Sequence, residues 1–221
     1  MVAMSTHGTD GRLARTRATR ARVAEAATRL FTTRGYAATS IQSVAKEAGV
    51  AAQTVYNAFG AKSAVLKEAL DQAVAGDAEP VATLDRPWAR EALAAPDASE
   101  QIRLQVAGTA AIMVRVAPLS EVLRGAADSD DDLRTLWRIN VEQRRAVQHA
   151  FAERLAERGA LRPGLTTGDA ADTALALLSP EVFTLHTVQC GWSADRWRDW
   201  ATDALLRQVT DRTSAPGAST G

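Results

Sequence analysis

Gln53, Thr54 and Asn57 stand at positions i, i+1 and i+4, so on a helix their side chains share one sector of about 100°. All three are polar and uncharged, and each suits the edge of a base pair. An Asn or Gln amide can bond adenine bidentately in the major groove, whereas Thr offers a hydroxyl and a methyl for thymine. Lys62 and an arginine run, Arg12, Arg15, Arg17, Arg20 and Arg22, surround them. Such cations grip phosphates and supply affinity and register without reading sequence. Plainer readings stand beside these. The arginines could be a solvated helix face, Thr54 and Asn57 ordinary surface residues, and Tyr56 a core aromatic with a wet hydroxyl. Val55 and Phe59 are assigned to packing.

Those side chains can face outward together only on a short helix braced from behind. Ile41, Val44, Ala45 and Ala48 supply an apolar face for a first helix over Ser40 to Ala48, with Thr39 as its N-cap in a capping box with Gln42. Gly49 permits the positive φ of a tight turn, Val50 plugs it, and Gln53 to Phe59 forms a second helix with Val55 and Phe59 inward. An earlier helix carries Val23, Ala27, Leu30 and Phe31 on one stripe and stops at Gly35. Two short helices about a glycine turn make a helix-turn-helix.

The 221 residues are 46 % hydrophobic and 24 % charged, which excludes wholesale disorder and a disulfide-knitted miniprotein. Apolar residues recur mainly at three- and four-residue spacing in an alanine-rich chain, so the expected fold class is all-α. Net charge is zero, yet residues 1–70 hold ten basic and four acidic residues, and the remainder is correspondingly acidic. A basic end joined to an acidic body suits nucleic-acid binding by the first and another task for the second. No apolar run approaches the roughly 18 uninterrupted residues of a membrane span, and no secretion signal is apparent. No membrane partner and a cytoplasmic location are therefore expected.

Further along, a helix starts near Lys62 and carries Val65, Leu66, Ala69 and Ala73; one from Ser99 to Ala117 is stopped or kinked by Pro118, with a short helix over Leu119 to Gly125 after it. The longest periodic segment, Asp130 to Arg158, opens on the acids Asp128 to Asp132, which suit a helix N-terminus. A helix from Thr167 bends at Pro180 toward Gln189, and Ser193 caps the last one, on which Trp197, Trp200, Ala201, Ala204 and Leu205 share a face. Residues 1–11 and 212–221 are expected to be disordered tails. Asn140 and Arg144 interrupt the apolar stripe of the long helix. They either meet an effector's carboxylate or carbonyl between Met113 and Trp137 as apolar walls, or form an internal salt bridge.

Catalytic constellations are missing: there is no Gly-rich phosphate loop, no nucleophile elbow and no paired carboxylates beyond the acidic helix start. His149 and His186 are isolated, so neither a metal nor another cofactor is expected. Cys190 is either a buried inert thiol or an oxidant sensor. Trp192, Trp197 and Trp200 form an aromatic box or, more plainly, core or interface.

The string Thr39-Ser40-Ile41-Gln42-Ser43-Val44-Ala45-Lys46-Glu47-Ala48-Gly49-Val50, then Thr54-Val55-Tyr56-Asn57-Ala58-Phe59 and Lys62, resembles the N-terminal domain of tetracycline-repressor-family (TetR) regulators over about fifty residues. The resemblance implies a three-helix DNA-binding domain, residues 12–64, followed by a helical-bundle ligand-binding and dimerisation domain, residues 65–211. It implies a homodimer on a palindromic operator in double-stranded DNA, repressing until a small apolar or amphipathic ligand binds, with the helix near Lys62 transmitting the change. Thr54, Tyr56 and Lys62 then look like phosphate contacts and Gln53 and Asn57 like base readers, with Arg17, Thr39 and Ser40 also in the contact set. The last two long helices would pair across the dimer through faces that include Val182, Phe183, Trp200 and Ala204. The chain departs from the family at Ala51, where Ser is frequent, and near Gln53, where Gly is. The rival readings are a helical enzyme and a protein-binding adaptor.

Overall fold

The structure, a computed structural model, describes residues 7–77 and 81–211, with side chains from Ala14 onward. The fold is all-α. Its helices are α1 (His7–Arg34), α2 (Ile41–Ala48), α3 (Ala52–Phe59), α4 (Lys62–Ala75), α5 (Pro87–Ala94), α6 (Ala98–Ala126), α7 (Asp131–Glu157), α8 (Thr167–Leu177), α9 (Pro180–Thr184) and α10 (Ala194–Val209). Among the described residues the strand-like pairing is an antiparallel bridge between Leu161 and Thr210.

The chain divides into two compact units: the described parts of Met1–Pro80 with Pro118–Leu136, and Val81–Ala117 with the described part of Trp137–Gly221. This differs from a division at 64/65, because α4 stays with α1. It buries Val65, Leu66, Ala69 and Leu70 along its length. Helix α1 starts at His7, so residues 7–11, expected in a disordered tail, are helical. The remainder of that tail, and residues 212–221, lie outside the described residues.

In the first unit α1 buries Val23, Ala24, Ala26, Ala27, Leu30 and Phe31, and α2 buries Ile41, Val44, Ala45 and Ala48. So many alanines allow close helix approach. The cap of α2 is Ser40 and not Thr39. Ser40 Oγ accepts from the Ser43 N–H, and Ser43 Oγ accepts from the Ser40 N–H, both at 3.1 Å. Thr39 is buried and donates its hydroxyl to the carbonyls of Leu30 and Gly35. A capping box needs only a hydroxyl at N-cap and an acceptor at N3; adjacent Thr and Ser both offer the former, and burial of Thr39 decides between them.

In the second unit Ala89, Ala92 and Phe151 form a core with Leu84, Trp88, Leu93, Leu104 and Val147 against it. Arg154 and Arg158 donate to the carbonyls of Leu93 and Ala95, satisfying the C-terminus of α5. Pro118 does not end α6. The proline is exposed, as is Val114 one turn earlier, so the carbonyl deprived of its N–H partner faces solvent while flanking residues are buried. An 18-residue window of Ala98–Ser129 reaches a mean hydropathy of 1.5, apolar enough by composition to span a bilayer although no uninterrupted run suggested it. Half of that window is buried inside the protein, as in a core helix. The helix expected to pass through Pro180 is instead two: Ser179 caps α9 by accepting from the Val182 N–H.

Trp88 stacks on Phe151 with ring centroids 6.0 Å apart. Its indole also lies over Gly108, where an added Cβ would collide with Trp88 Cε3. Gly108→Ala is expected to lower stability by roughly 1–3 kcal/mol through overpacking, with loss of the Trp88 near-UV signal before α-helix is lost. Unchanged urea midpoints would show that the indole has room to move aside.

Candidate nucleic-acid interface

Helix α3 is held by its turn. Gly49 takes φ 65°, ψ 39°, and the Val50 N–H reaches back to the Ala45 carbonyl at 3.0 Å, closing α2 in a six-to-one bond. Ala51 then occupies the N-cap of α3 in extended conformation, with no side-chain cap bond. Val55 is fully buried and turns the opposite sector outward. Gln53, Thr54, Tyr56 and Asn57 are exposed there, beside exposed Ser40 and Gln42. Gln42 Nε2 donates to the Tyr56 hydroxyl at 3.5 Å, and Gln53 Nε2 donates to Asn57 Oδ1 at 2.8 Å. The result is an uncharged face, rich in donors and acceptors, on a helix about 12 Å long.

The cations around it divide by role. Arg17 and Arg22 are exposed on α1. Arg20 is not a surface cation awaiting phosphate. Its guanidinium donates to the Ala58 carbonyl at 3.1 Å and to Glu68, and lies 4.4 Å from the Phe59 ring centroid. It staples α1 to the end of α3 and to α4. Arg29 likewise joins Glu25 to Glu47 on α2. Arg12 lies outside the residues whose side chains are described.

Lys62 Nζ donates to the Tyr36 carbonyl at 2.9 Å and lies 4.0 Å from the centroid of the Tyr36 ring. Burial pushes its pKa below the ordinary lysine value, and Asp130 pulls it back. The Tyr36 hydroxyl is pushed up to about 12, chiefly by burial and then by Asp130 and Asp132. Ser63 Oγ donates to Asp132 Oδ2 at 3.2 Å. Asp130 Oδ1 caps α7 by accepting from the N–H groups of Asp132 and Leu133. The acidic start of α7 is thus electrostatically tied to the first turn of α4. Spacing along the chain gave no sign of this.

The model of bacterial regulatory proteins of the tetR family matches residues 23–69, the segment that holds the core of α1, the turn, α3 and the start of α4. The N-terminal segment of the chain thus matches the tetR-family domain. Solved structures with the same fold include a candidate TetR-family transcriptional regulator from Mesorhizobium loti, 21 % identical, covering 89 % of this chain and 99 % of its own, with a TM-score of 0.68. NalD from Pseudomonas aeruginosa, the secondary repressor of the MexAB-OprM multidrug efflux pump, is 20 % identical over 89 % and 99 % with a TM-score of 0.66. SmeT in complex with triclosan is 20 % identical over 92 % and 98 % with a TM-score of 0.67. Identities this low carry the fold. No curated protein sequence matches the chain.

Within this tetR-type domain the expected contact residues Ser40, Gln53, Thr54, Tyr56 and Asn57 lie on one exposed face, Arg17 is exposed on α1, and Lys62 is engaged by Tyr36. Thr39, also expected in that set, is buried, with its hydroxyl bonded inside the helix junction.

In the second unit Met113 is buried. Arg144 Nη1 lies 3.6 Å from Glu181 Oε2, and its guanidinium stands 5.7 Å from the Trp137 ring centroid. The internal salt bridge is therefore the arrangement present. Burial pulls the Arg144 pKa below the ordinary arginine value, and Glu181 opposes it. Asn140 Oδ1 and Arg144 Nε are buried without a hydrogen-bond partner among the described residues.

A second polar group escaped the sequence reading. Gln101, Gln105 and Gln148 are all buried; Gln105 Nε2 donates to Gln148 Oε1 at 2.7 Å and Gln101 Nε2 to the Phe151 carbonyl at 2.9 Å. Among the described residues the Oε1 atoms of Gln101 and Gln105 have no hydrogen-bond partner. A void of about 10 Å³ is lined by Gln105, Gln148, Phe151, Leu155, Ala174 and Leu205, among others. The i, i+4 spacing of Gln101 and Gln105 beside Ile102 was the available signal.

Phe183, expected at a dimer interface, is buried within its own chain, edge-on to Trp197 with ring centroids 5.0 Å apart. Val182, Trp200 and Ala204 are half-buried. His186 stacks on Trp192 at 4.3 Å and meets Trp200 edge-on, while Leu185 and Val188 are 52 % and 69 % exposed. Cys190 is exposed, not buried. Among the described residues no group of three or more His, Cys, Asp or Glu could hold a metal ion.

Ala51→Ser should supply the missing cap of α3 and stabilise it by about 1 kcal/mol. The expected readout is slower hydrogen exchange at the Gln53, Thr54 and Val55 amides. Unchanged exchange rates would mean that the hydroxyl does not reach the first turn.

Proposed function

We propose that this regulator is a cytoplasmic one-component repressor. It binds a palindromic operator as a homodimer and is released by a small apolar or amphipathic effector. The observation that carries the reading is the uncharged, hydrogen-bonding face of α3, packed from behind by Val55 and flanked by cations. Gln53 and Asn57 read bases; Thr54, Tyr56, Ser40, Arg17 and Lys62 contact phosphates. Lys62 reaches a phosphate only by exchanging the Tyr36 carbonyl and the field of Asp130 for the nucleic acid. Residues 12–64 carry the DNA-binding role and 65–211 the regulatory one.

Two half-sites gain affinity together when their separation suits about one helical turn, roughly 34 Å, so an effector acts by favouring a different separation. NalD is a repressor and SmeT binds triclosan, which supports the repressor and effector parts of the reading. The partnerless amide oxygens of Gln101 and Gln105, or Asn140 with Arg144, are the groups an effector's polar atoms would meet. The exposed Leu185 and Val188, with half-buried Val182, Trp200 and Ala204, support a second copy as the partner of this face.

A mobility-shift titration against DNA flanking the protein's own gene, at two salt concentrations, tests the reading. A preferred site with steep salt dependence is expected. Asn57→Ala should change base preference, whereas Lys62→Ala should weaken binding to operator and random duplexes alike and flatten the salt slope. Equal losses on both duplexes for Asn57→Ala would falsify its role as a reader.

Val188→Glu places a charge on an exposed position and should leave the fold intact while shifting sedimentation from dimer toward monomer and costing most operator affinity. A dimer of unchanged strength moves the interface elsewhere.

A further inference from the structure

The base-reading role of α3 acquires a specific chemistry from one bond. Gln53 Nε2 donates to Asn57 Oδ1 at 2.8 Å, joining two exposed amides one turn apart. The bond orients both. Asn57 turns its oxygen toward Gln53 and leaves Nδ2, a pure donor, at the far side; Gln53 commits its nitrogen and leaves the acceptor Oε1. Four residues of helix rise about 6 Å, and the 2.8 Å bond draws the two amides together within that rise, so their outward ends match a single base-pair step of about 3.4 Å better than two. The outward ends therefore address neighbouring base pairs and not one base.

Resting on the reading of α3 given above, we propose that Gln53 and Asn57 form a single unit that reads two neighbouring base pairs by opposite polarity. Gln53 Oε1 accepts from an exocyclic amino group in the major groove, N6 of adenine or N4 of cytosine. Asn57 Nδ2 donates to a purine N7 or a thymine O4 on the adjoining pair. Guanine under Gln53 would set its O6 and N7 acceptors against an acceptor, and cytosine under Asn57 would set an amino group against a donor. Adenine alone serves either end, so the proposal commits to two adjoining A·T pairs, with adenine N6 under Gln53 and adenine N7 under Asn57. The operator half-site thus carries an adenine-containing step under this pair, with the Thr54 methyl in the same sector against a thymine methyl.

The test uses the full chain. Duplexes selected from a random pool define the half-site, and each adenine in it is then replaced singly by purine, which lacks the N6 amino group, or by 7-deazaadenine, which lacks N7. Two neighbouring positions are expected to respond, one losing about ten-fold in affinity with purine and the next about ten-fold with 7-deazaadenine. Gln53→Ala should abolish the first sensitivity and also relax base preference at the second position, because Asn57 is then free to turn. The Gln53→Ala/Asn57→Ala double variant should lose no more than about the larger single loss. Both residues are exposed, and an unchanged melting temperature confirms that the variants fold.

Independent, additive losses would overturn the coupled unit, as would N6 and N7 sensitivity on the same adenine that depends on Asn57 alone. Insensitivity to both analogues at a selected site would overturn it too. Failure to select any sequence would instead overturn the base-reading role of α3.

Discussion

An eight-residue helix has too few hydrogen bonds to hold itself in water, and α3 is such a helix, without even a side-chain cap at its N-terminus. Everything it offers to DNA depends on one buried contact surface. Val55 is inserted against a core in which α1, α2 and α4 bring mainly alanine, valine and leucine. The Gly49 turn sets the angle at which α3 leaves α2, since φ of 65° would strain any side chain with a Cβ. Rigidity behind the face is what lets short polar side chains act as readers in front of it.

Much of this was legible in the residues because the helix-turn-helix is local. Gly49, the apolar steps of α2 and the pairing of Val55 with Phe59 lie within twenty residues, and each follows from sterics or periodicity. The failures have a common physical origin. Thr39 and Ser40 offer the same cap chemistry, and only tertiary burial separates them. Pro118 reads as a helix stop unless its exposure on α6 is known. Arg20 reads as one more cation in a basic run until Glu68, Ala58 and the Phe59 ring converge on it. Phe183 lies on the helix assigned to the interface, yet Trp197 claims it.

The second unit was harder to read because its polar chemistry is assembled from distant segments. Gln105 and Gln148 are 43 residues apart and meet on facing helices; Arg144 meets Glu181 across a loop and a helix break. Buried amides and a buried guanidinium are retained against a desolvation cost, and leaving several of their atoms without partners marks them as groups whose arrangement is not decided by packing alone. Apolar periodicity showed where these helices are buried, and it could not show which polar residues share the interior.

The Arg20 junction has a mechanical consequence. A single guanidinium holds the Ala58 carbonyl in the last turn of α3, an aromatic ring on the same helix and a carboxylate on α4. With both of its ends tethered, α3 has no hinge of its own. In the proposed homodimer, any change in the spacing of the two copies of α3 is then delivered by moving the helices that hold it together with it.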